Sequence, residues 1–296
     1  MTDGVAIEAV GLTKQWGPLR AVDRLDLSVT AGECYAFLGR NGAGKSTTAR
    51  LLLDFIRPTE GTYRVLGGRG SDPAVRRRIG YLPGDLNLAG SMTGHQALGY
   101  FGALGGGEPG SAPDLIDRFG LDPTRPVHEL STGNRRKVGL VLAFMHEPEL
   151  LILDEPTAGL DPVLQKEFRA LLAERKSAGA TIWLTSHVMA EVEMVADRVG
   201  LIDRGRLAQE LTMADLRKQT TGKIIFTFDQ PPPSEAFDAV PGVTSVSFSD
   251  GEVSVAVDGS VAGVLSRAGE LGVSAVRTEH RDLDDIFLDL YAGESS

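Results

Sequence analysis

This chain lacks paired thiols and bilayer-length apolar runs, and it has little positive charge in its C-terminal quarter. Its 296 residues hold one cysteine, Cys34, which excludes an internal disulfide and fits a reducing compartment. Lying in the run Cys34-Tyr35-Ala36-Phe37-Leu38, that cysteine reads as a small buried hydrophobe. No uninterrupted apolar stretch approaches the length that spans a bilayer, so no transmembrane segment is expected. Met1-Thr2-Asp3-Gly4 has neither the basic nor the apolar region of a signal peptide. The formal charge of −10 sits mostly in residues 222–296, where Lys223, Arg267, Arg277 and Arg281 face 13 Asp and Glu. Phosphate surfaces demand Lys and Arg, so this acidic tail argues against nucleic acid or anionic lipid as its partner. With 42% hydrophobic residues and a mean hydropathy of −0.04, the chain reads as an ordinary globular protein. It is long enough for more than one domain.

What the chain has is Gly39-Arg40-Asn41-Gly42-Ala43-Gly44-Lys45-Ser46-Thr47. A glycine, four free positions and then Gly-Lys-Ser is the spacing of a phosphate-cradling loop. The apolar run before it predicts a buried strand, and Thr48-Ala49-Arg50-Leu51-Leu52-Leu53 after it predicts a helix. A glycine-rich turn between strand and helix aims backbone N–H groups and the positive helix end at bound phosphate. Lys45 is placed to reach β/γ-phosphates and Ser46 to offer a hydroxyl to Mg²⁺.

Further strands are predicted at Val5–Val10, Leu25–Val29, Leu150–Leu153, Thr181–Thr185 and Arg198–Ile202. Strands alternating with helical patterns imply an α/β nucleotide-binding core with a parallel sheet. Between Tyr81 and Ser131 the strand pattern stops. Ala97, Tyr100, Phe101 and Leu104 recur there at helical spacing, which predicts a helical insert over about 84–147. Beyond Thr220-Thr221-Gly222 the pattern turns to alternation, at Ile224–Phe228, Val243–Phe248 and Val253–Val257. Over 223–278 this reads as β-α-β-β-α-β, compatible with a small ferredoxin-like unit. Leu283, Phe287, Leu290 and Tyr291 then stripe a final helix as packing residues.

Asp154 closes an apolar strand downstream of the phosphate loop, where it can anchor Mg²⁺. Glu155 follows and can polarise an attacking water. Phosphoryl transfer needs such a pair because it is catalysed by positioning and charge neutralisation. Leu130-Ser131-Thr132-Gly133-Asn134-Arg135-Arg136-Lys137, before that strand, resembles the signature motif of ABC ATPases. The order of motifs over residues 5–218 is similar to a complete ABC nucleotide-binding domain.

The resemblance implies roles. Gly39, Asn41, Gly42, Ala43, Gly44, Lys45, Ser46 and Thr47 match the loop that holds ATP, and Trp16 matches the aromatic that stacks on adenine. Ser46 and Asp154 match the Mg²⁺ ligands. Glu155 matches the catalytic glutamate and His187 the histidine that senses the γ-phosphate. Ser131 and Gly133 match residues that bind the γ-phosphate held by the opposite subunit, and Asp161 matches the aspartate of the loop crossing between subunits. Taken singly, Trp16 also reads as an edge aromatic, His187 as a loop histidine and Ser131 as a helix N-cap. The chain departs from the family at Gly84, where a glutamine is usual, and at Thr132 and Asn134, which replace a glycine and a glutamine of the signature.

The expectation is therefore an α/β P-loop ABC ATPase core over 1–221, with an antiparallel β subdomain, followed by an α+β accessory domain over 222–296. By resemblance to bacterial drug- and antibiotic-resistance export ATPases of the daunorubicin-resistance type, it is the ATPase subunit of a two-component exporter. Two copies would sandwich two Mg-ATP, a separate transmembrane permease would be the partner, and the location would be the inner face of the cell membrane. Two alternatives stay open: an ABC ATPase not tied to transport, and an ATP-binding regulatory subunit with weak hydrolysis.

Overall fold

A computed structural model describes residues 4–279 apart from 87, 89–90, 106–109, 220–222, 231, 250 and 258–259. The boundary expected at 221/222 and the stripe from Leu283 to Tyr291 lie outside the described residues. The backbone divides into two compact units, Met1–Met213 and Ala214–Ser296.

The first unit opens on a hairpin of β1 (Val5–Trp16) and β2 (Leu19–Thr30). Both strands run further than their apolar alternation predicts. Gly11, at φ +57°, lies where the register shifts between Ala9 and Leu12, and its N–H donates to Asp26 Oδ1 at 2.7 Å. A bulge of this kind lets the strand bend and continue. The chain then forms β3 (Cys34–Leu38) and α1 (Lys45–Leu52) before β4 (Glu60–Val65) returns to the free edge of β1. The result is an antiparallel sheet in the order β2-β1-β4.

After α2 (Pro73–Arg76) and β5 (Ile79–Leu82), the chain turns helical through α3 (Gly94–Gly105), α4 (Ala112–Phe119) and α5 (Thr132–Phe144). It re-enters the sheet as β6 (Leu150–Asp154), followed by α6 (Pro162–Ser177), β7 (Thr181–Ser186), α7 (Met189–Glu193), β8 (Arg198–Asp203) and β9 (Arg206–Thr212). The sheet order is β5-β6-β7-β3-β8-β9, with β9 antiparallel to β8 and the other neighbours parallel. β9 was not expected from the sequence. Its residues are exposed or half-buried, so no apolar run marks it, and only the turn at Arg204 and Gly205 (φ +46° and +82°) betrays the hairpin.

Every residue of β3, β6 and β7 is buried, which is why these strands read as continuous apolar runs. Phe37 and Trp183 meet at 5.4 Å between ring centres, in one core with Ile7, Leu12, Val22, Leu25, Leu51 and Leu52. The helical segment anchors to the sheet unit through Phe144 against Phe168 at 6.2 Å, and through Arg118, whose guanidinium bonds Glu174 and Glu167. The stripe seen in α3 divides. Ala97 is buried, whereas Tyr100, Phe101 and Leu104 are 55%, 40% and 61% exposed.

The second unit begins with α8 (Met213–Gln219), whose first residue closes the preceding unit. β10 (Lys223–Phe228), β11 (Val243–Ser249), β12 (Glu252–Val257), α9 (Ala262–Glu270) and β13 (Val273–Glu279) follow. Its antiparallel sheet has the order β11-β12-β10-β13, and Phe226, Phe237, Val255 and Val264 form its core. The first expected helix is replaced by tight turns, in which Ala236 N donates to Pro233 O and Val240 N to Phe237 O. Pro241 disfavours helical backbone at Val240, so this short segment closes as successive turns.

Cys34 has no exposed surface, and burial pushes its thiol up to about 12. At pH 8 the folded protein should therefore resist iodoacetamide, and the thiol should react only as denaturant unfolds β3. Labelling of native protein at the rate of a free thiol would contradict this placement.

Candidate functional site

The phosphate loop leaves β3 at its C-terminal end and closes into α1. Gly42 and Gly44 have φ of +83° and +113°, the left-handed region that glycine adopts at little cost. Gly39 and Gly44 are also needed for space. A Cβ on Gly39 would stand 2.6 Å from Ile202 O, and one on Gly44 would stand 2.4 Å from Ala21 O. The loop is thus gripped between β2 and the β8–β9 turn, where Gly205 N donates to Ala43 O at 2.8 Å. Gly44 is the N-cap of α1, so no side chain caps the first N–H groups of the helix. A helix start left open in this way, beside a glycine loop, is a cradle for an anion. Asn41 and Gly42 are exposed there, while Ser46 and Thr47 are half-buried.

Lys45 is buried and its ammonium is fully engaged. Nζ donates to Gly39 O at 2.6 Å and Arg40 O at 3.3 Å, and lies 3.0 Å from Glu155 Oε1. The other oxygen of that carboxylate, Oε2, lies 2.7 Å from His187 Nδ1. Glu155 therefore bridges the loop lysine and the histidine that follows β7. Asp154 sits behind it, 3% exposed, with Oδ1 accepting from Thr185 Oγ1 at 2.6 Å. The same hydroxyl accepts from Glu155 N at 3.0 Å, so one buried threonine orients both acidic residues. Glu155 has φ +48°, a left-handed conformation that needs support from its neighbours in a residue with a Cβ.

The remaining predicted residues occupy three other places. Trp16 is at the tip of the β1–β2 hairpin, 45% exposed, with Lys14 Nζ 5.2 Å from its ring centre. Ser131 caps α5, accepting from Asn134 N at 3.3 Å, and Gly133 follows in the first turn. A Cβ on Gly133 would stand 3.2 Å from Gly159 O, so the start of α5 packs on the loop after Glu155. Asp161 ends that loop and caps α6, accepting from Leu164 N at 2.9 Å. The Lys45–Glu155–His187 group assembles without Ser131, Gly133 or Asp161.

Gly84 lies beside the acidic pair, where its Cβ would be 3.2 Å from Asp154 Oδ2. Asp85 is exposed. Among the described residues no cluster of three or more His, Cys, Asp and Glu forms a metal cage. Ser46 and Asp154 offer hard oxygen ligands, the kind that suits Mg²⁺, which keeps its waters and takes further oxygens from phosphate.

Two residues that pattern reading missed hold the site together. Thr185 is one. The other is Arg136, 4% exposed in α5, whose guanidinium bonds main-chain oxygens of the loop after β5 and of the end of β6. Its signal was present, because it falls on the same helix face as buried Leu140 and Phe144. A charged residue in an apolar stripe needs partners of its own.

A family profile described as ABC transporter matches residues 22–158. The chain is 30% identical over 297 residues to a bacitracin transport ATP-binding protein of Enterococcus faecalis, covering 97% of this chain and 96% of that protein. It is 39% identical over 228 residues to a daunorubicin/doxorubicin resistance ATP-binding protein of Streptomyces peucetius, covering 74% and 69%. Among solved structures, an ATP-binding subunit of an ABC transporter superposes with a TM-score of 0.67 at 29% identity, over 72% of this chain and 92% of that one. A dimeric bacterial ABC transporter cassette shares the fold, with a TM-score of 0.62 at 18% identity over 70% and 98%.

Replacing Thr185 by valine keeps the shape and strands Asp154 Oδ1 and the Glu155 N–H without their shared partner. Unfolding by urea should show a loss of about 1–3 kcal/mol with an unchanged m value. A midpoint equal to that of the wild type would refute this role of the hydroxyl.

Proposed function

The chain belongs to the ABC transporter family as one of its ATPases, and from that premise we propose that two copies hydrolyse ATP to drive a separate permease that exports a drug or antibiotic. The observation that carries this reading is the Glu155 carboxylate, poised between Lys45 and His187 at the mouth of an open phosphate cradle. Its transport direction and cargo class rest on similarity to the bacitracin transport and daunorubicin resistance proteins.

In this mechanism the adenine stacks on Trp16, and the loop amides from Asn41 to Thr47 surround the phosphates. Lys45 gives up its contact with Glu155 for β- and γ-phosphate oxygens. Ser46 and Asp154 would hold Mg²⁺, which when bound supplies charge neutralisation on the phosphates. The freed Glu155 carboxylate accepts a proton from water as that water's oxygen bonds to the γ-phosphorus. The bond from phosphorus to the bridging oxygen breaks, and ADP leaves. His187, donating from Nδ1, keeps Glu155 oriented and reads the γ-phosphate.

Ser131 and Gly133 of one copy would complete the pocket of the other, with Asp161 in the loop that crosses between them. Residues 1–221 act as the nucleotide-binding module and 222–296 as an accessory domain. No helix of the described residues is long and apolar enough to cross a membrane. Coupling goes through the permease at the inner membrane face. The exposed α3 side chains Tyr100, Phe101 and Leu104 form an apolar surface suited to that contact.

Full-length protein should release phosphate from Mg-ATP, and Glu155→Gln should lower kcat about 10²- to 10⁴-fold. The same variant should sediment as a dimer when saturated with Mg-ATP. Undiminished turnover, or a monomer under those conditions, would sink the hydrolytic dimer. Tyr100→Asp combined with Leu104→Asp should release the chain from the membrane fraction of its own cells while the purified variant still hydrolyses ATP. Continued membrane retention would remove α3 from the permease contact.

A further inference from the structure

Arg136 uses every donor it has. Nη1 donates to Pro83 O at 2.6 Å and Gly84 O at 2.9 Å. Nη2 donates to Asp154 O at 2.8 Å and to Glu155 O, and Nε to Pro156 O at 3.3 Å. All five acceptors are main-chain oxygens, divided between the loop after β5 and the end of β6 with the loop that follows it. A planar guanidinium offers five N–H groups in a rigid fork, so it can hold two loops at one spacing. A lysine ammonium, with three donors on a flexible stem, cannot reproduce that pattern.

The position of this fork matters because of what it grips. Glu155 sits at φ +48° and is held by Thr185 on its N–H and by Arg136 on its carbonyl. Gly84 brings no side chain toward Asp154, although its Cα faces the carboxylate. The connection between the two loops therefore runs through the main chain: Gly84 O to the guanidinium, and from there to Asp154 O and Glu155 O. Arg136 also belongs to α5, which Ser131 caps and whose first turn carries Gly133. Burial pulls its guanidinium below the usual arginine value, while the charges of Asp154, Glu155 and Asp85 act in the opposite direction.

We infer that Arg136 is a positioning residue for hydrolysis, which sets the Glu155 carboxylate and transmits displacement of the Pro83–Gly84 loop to it through main-chain carbonyls. This rests on the hydrolytic reading of Glu155 above. The hydrogen bonds of Arg136 go to main-chain carbonyls from Pro83 to Gly84 and from Asp154 to Pro156, outside the phosphate loop, so its loss acts on the chemical step and leaves nucleotide binding in place.

The test compares full-length wild type, Arg136→Lys, Arg136→Met and Arg118→Met, each assayed well below its unfolding temperature. Phosphate release gives kcat and KM, and a fluorescent ATP analogue gives Kd. Arg136→Met should lose about 10²-fold in kcat, since small misplacement of a catalytic group costs that much. Arg136→Lys should fold and recover part of that loss, with KM and Kd within about twofold of wild type. Arg118→Met removes a surface clamp between α4 and α6 and should lower the unfolding temperature without lowering kcat. Should Arg136→Met fail to fold, Arg136→Lys decides alone. Wild-type kcat in Arg136→Lys, a rise in KM at constant kcat, or an equal kcat loss in Arg118→Met would overturn the inference. Absence of turnover in wild type as well would instead overturn the hydrolytic reading itself.

Discussion

The register of three parallel strands governs the site. Asp154 on β6 stands beside Thr185 on β7, and Thr185 beside Phe37 on β3. A slip of one residue would turn every side chain to the opposite face. These strands are buried throughout, so packing makes such a slip costly. The turns after all three strands consequently open along one edge of the sheet. Lys45, Glu155 and His187, distant in the chain, meet there by hydrogen bond and ion pair. Ligands of open α/β sheets are met at this edge, outside the carboxyl ends of the strands.

Two buried cations flank the acidic pair, and they are compensated differently. Lys45 leans on a carboxylate and two loop carbonyls, an arrangement that an incoming phosphate can take over without leaving a bare charge. Arg136 leans on five carbonyls and no hydrogen-bonded carboxylate. Its partners are fixed parts of the backbone, so its contribution is geometric. The first cation holds a side-chain partner that can move, and the second holds only fixed backbone.

Much of this was legible in the sequence because the physics was local. A glycine loop, the strand before it and the helix after it are contiguous, and so are Asp154 and Glu155 at a strand end. The alternation beyond residue 222 marked the strands of the second unit, and Pro241 explains why one expected helix is a set of turns. Thr185 and Arg136 were hidden because their importance comes from groups far along the chain. The same holds for β9, whose half-exposed edge position leaves no apolar run. α3 has the helical period its sequence shows, but periodicity reports spacing and cannot say which side a neighbour covers, so the exposure of Tyr100, Phe101 and Leu104 was not legible.

By itself, then, the order of residues determined the chemistry available: a phosphate cradle, an acidic pair, a following histidine and an acidic C-terminal region. Each depends on residue type and short spacing, which the chain carries before it folds. Only tertiary structure decided that Glu155 would stand between Lys45 and His187, that Thr185 would serve both acids, and that Arg136 would join two loops. Those relations are distances between segments far apart in sequence, and they exist once strand register and core packing have brought the segments together.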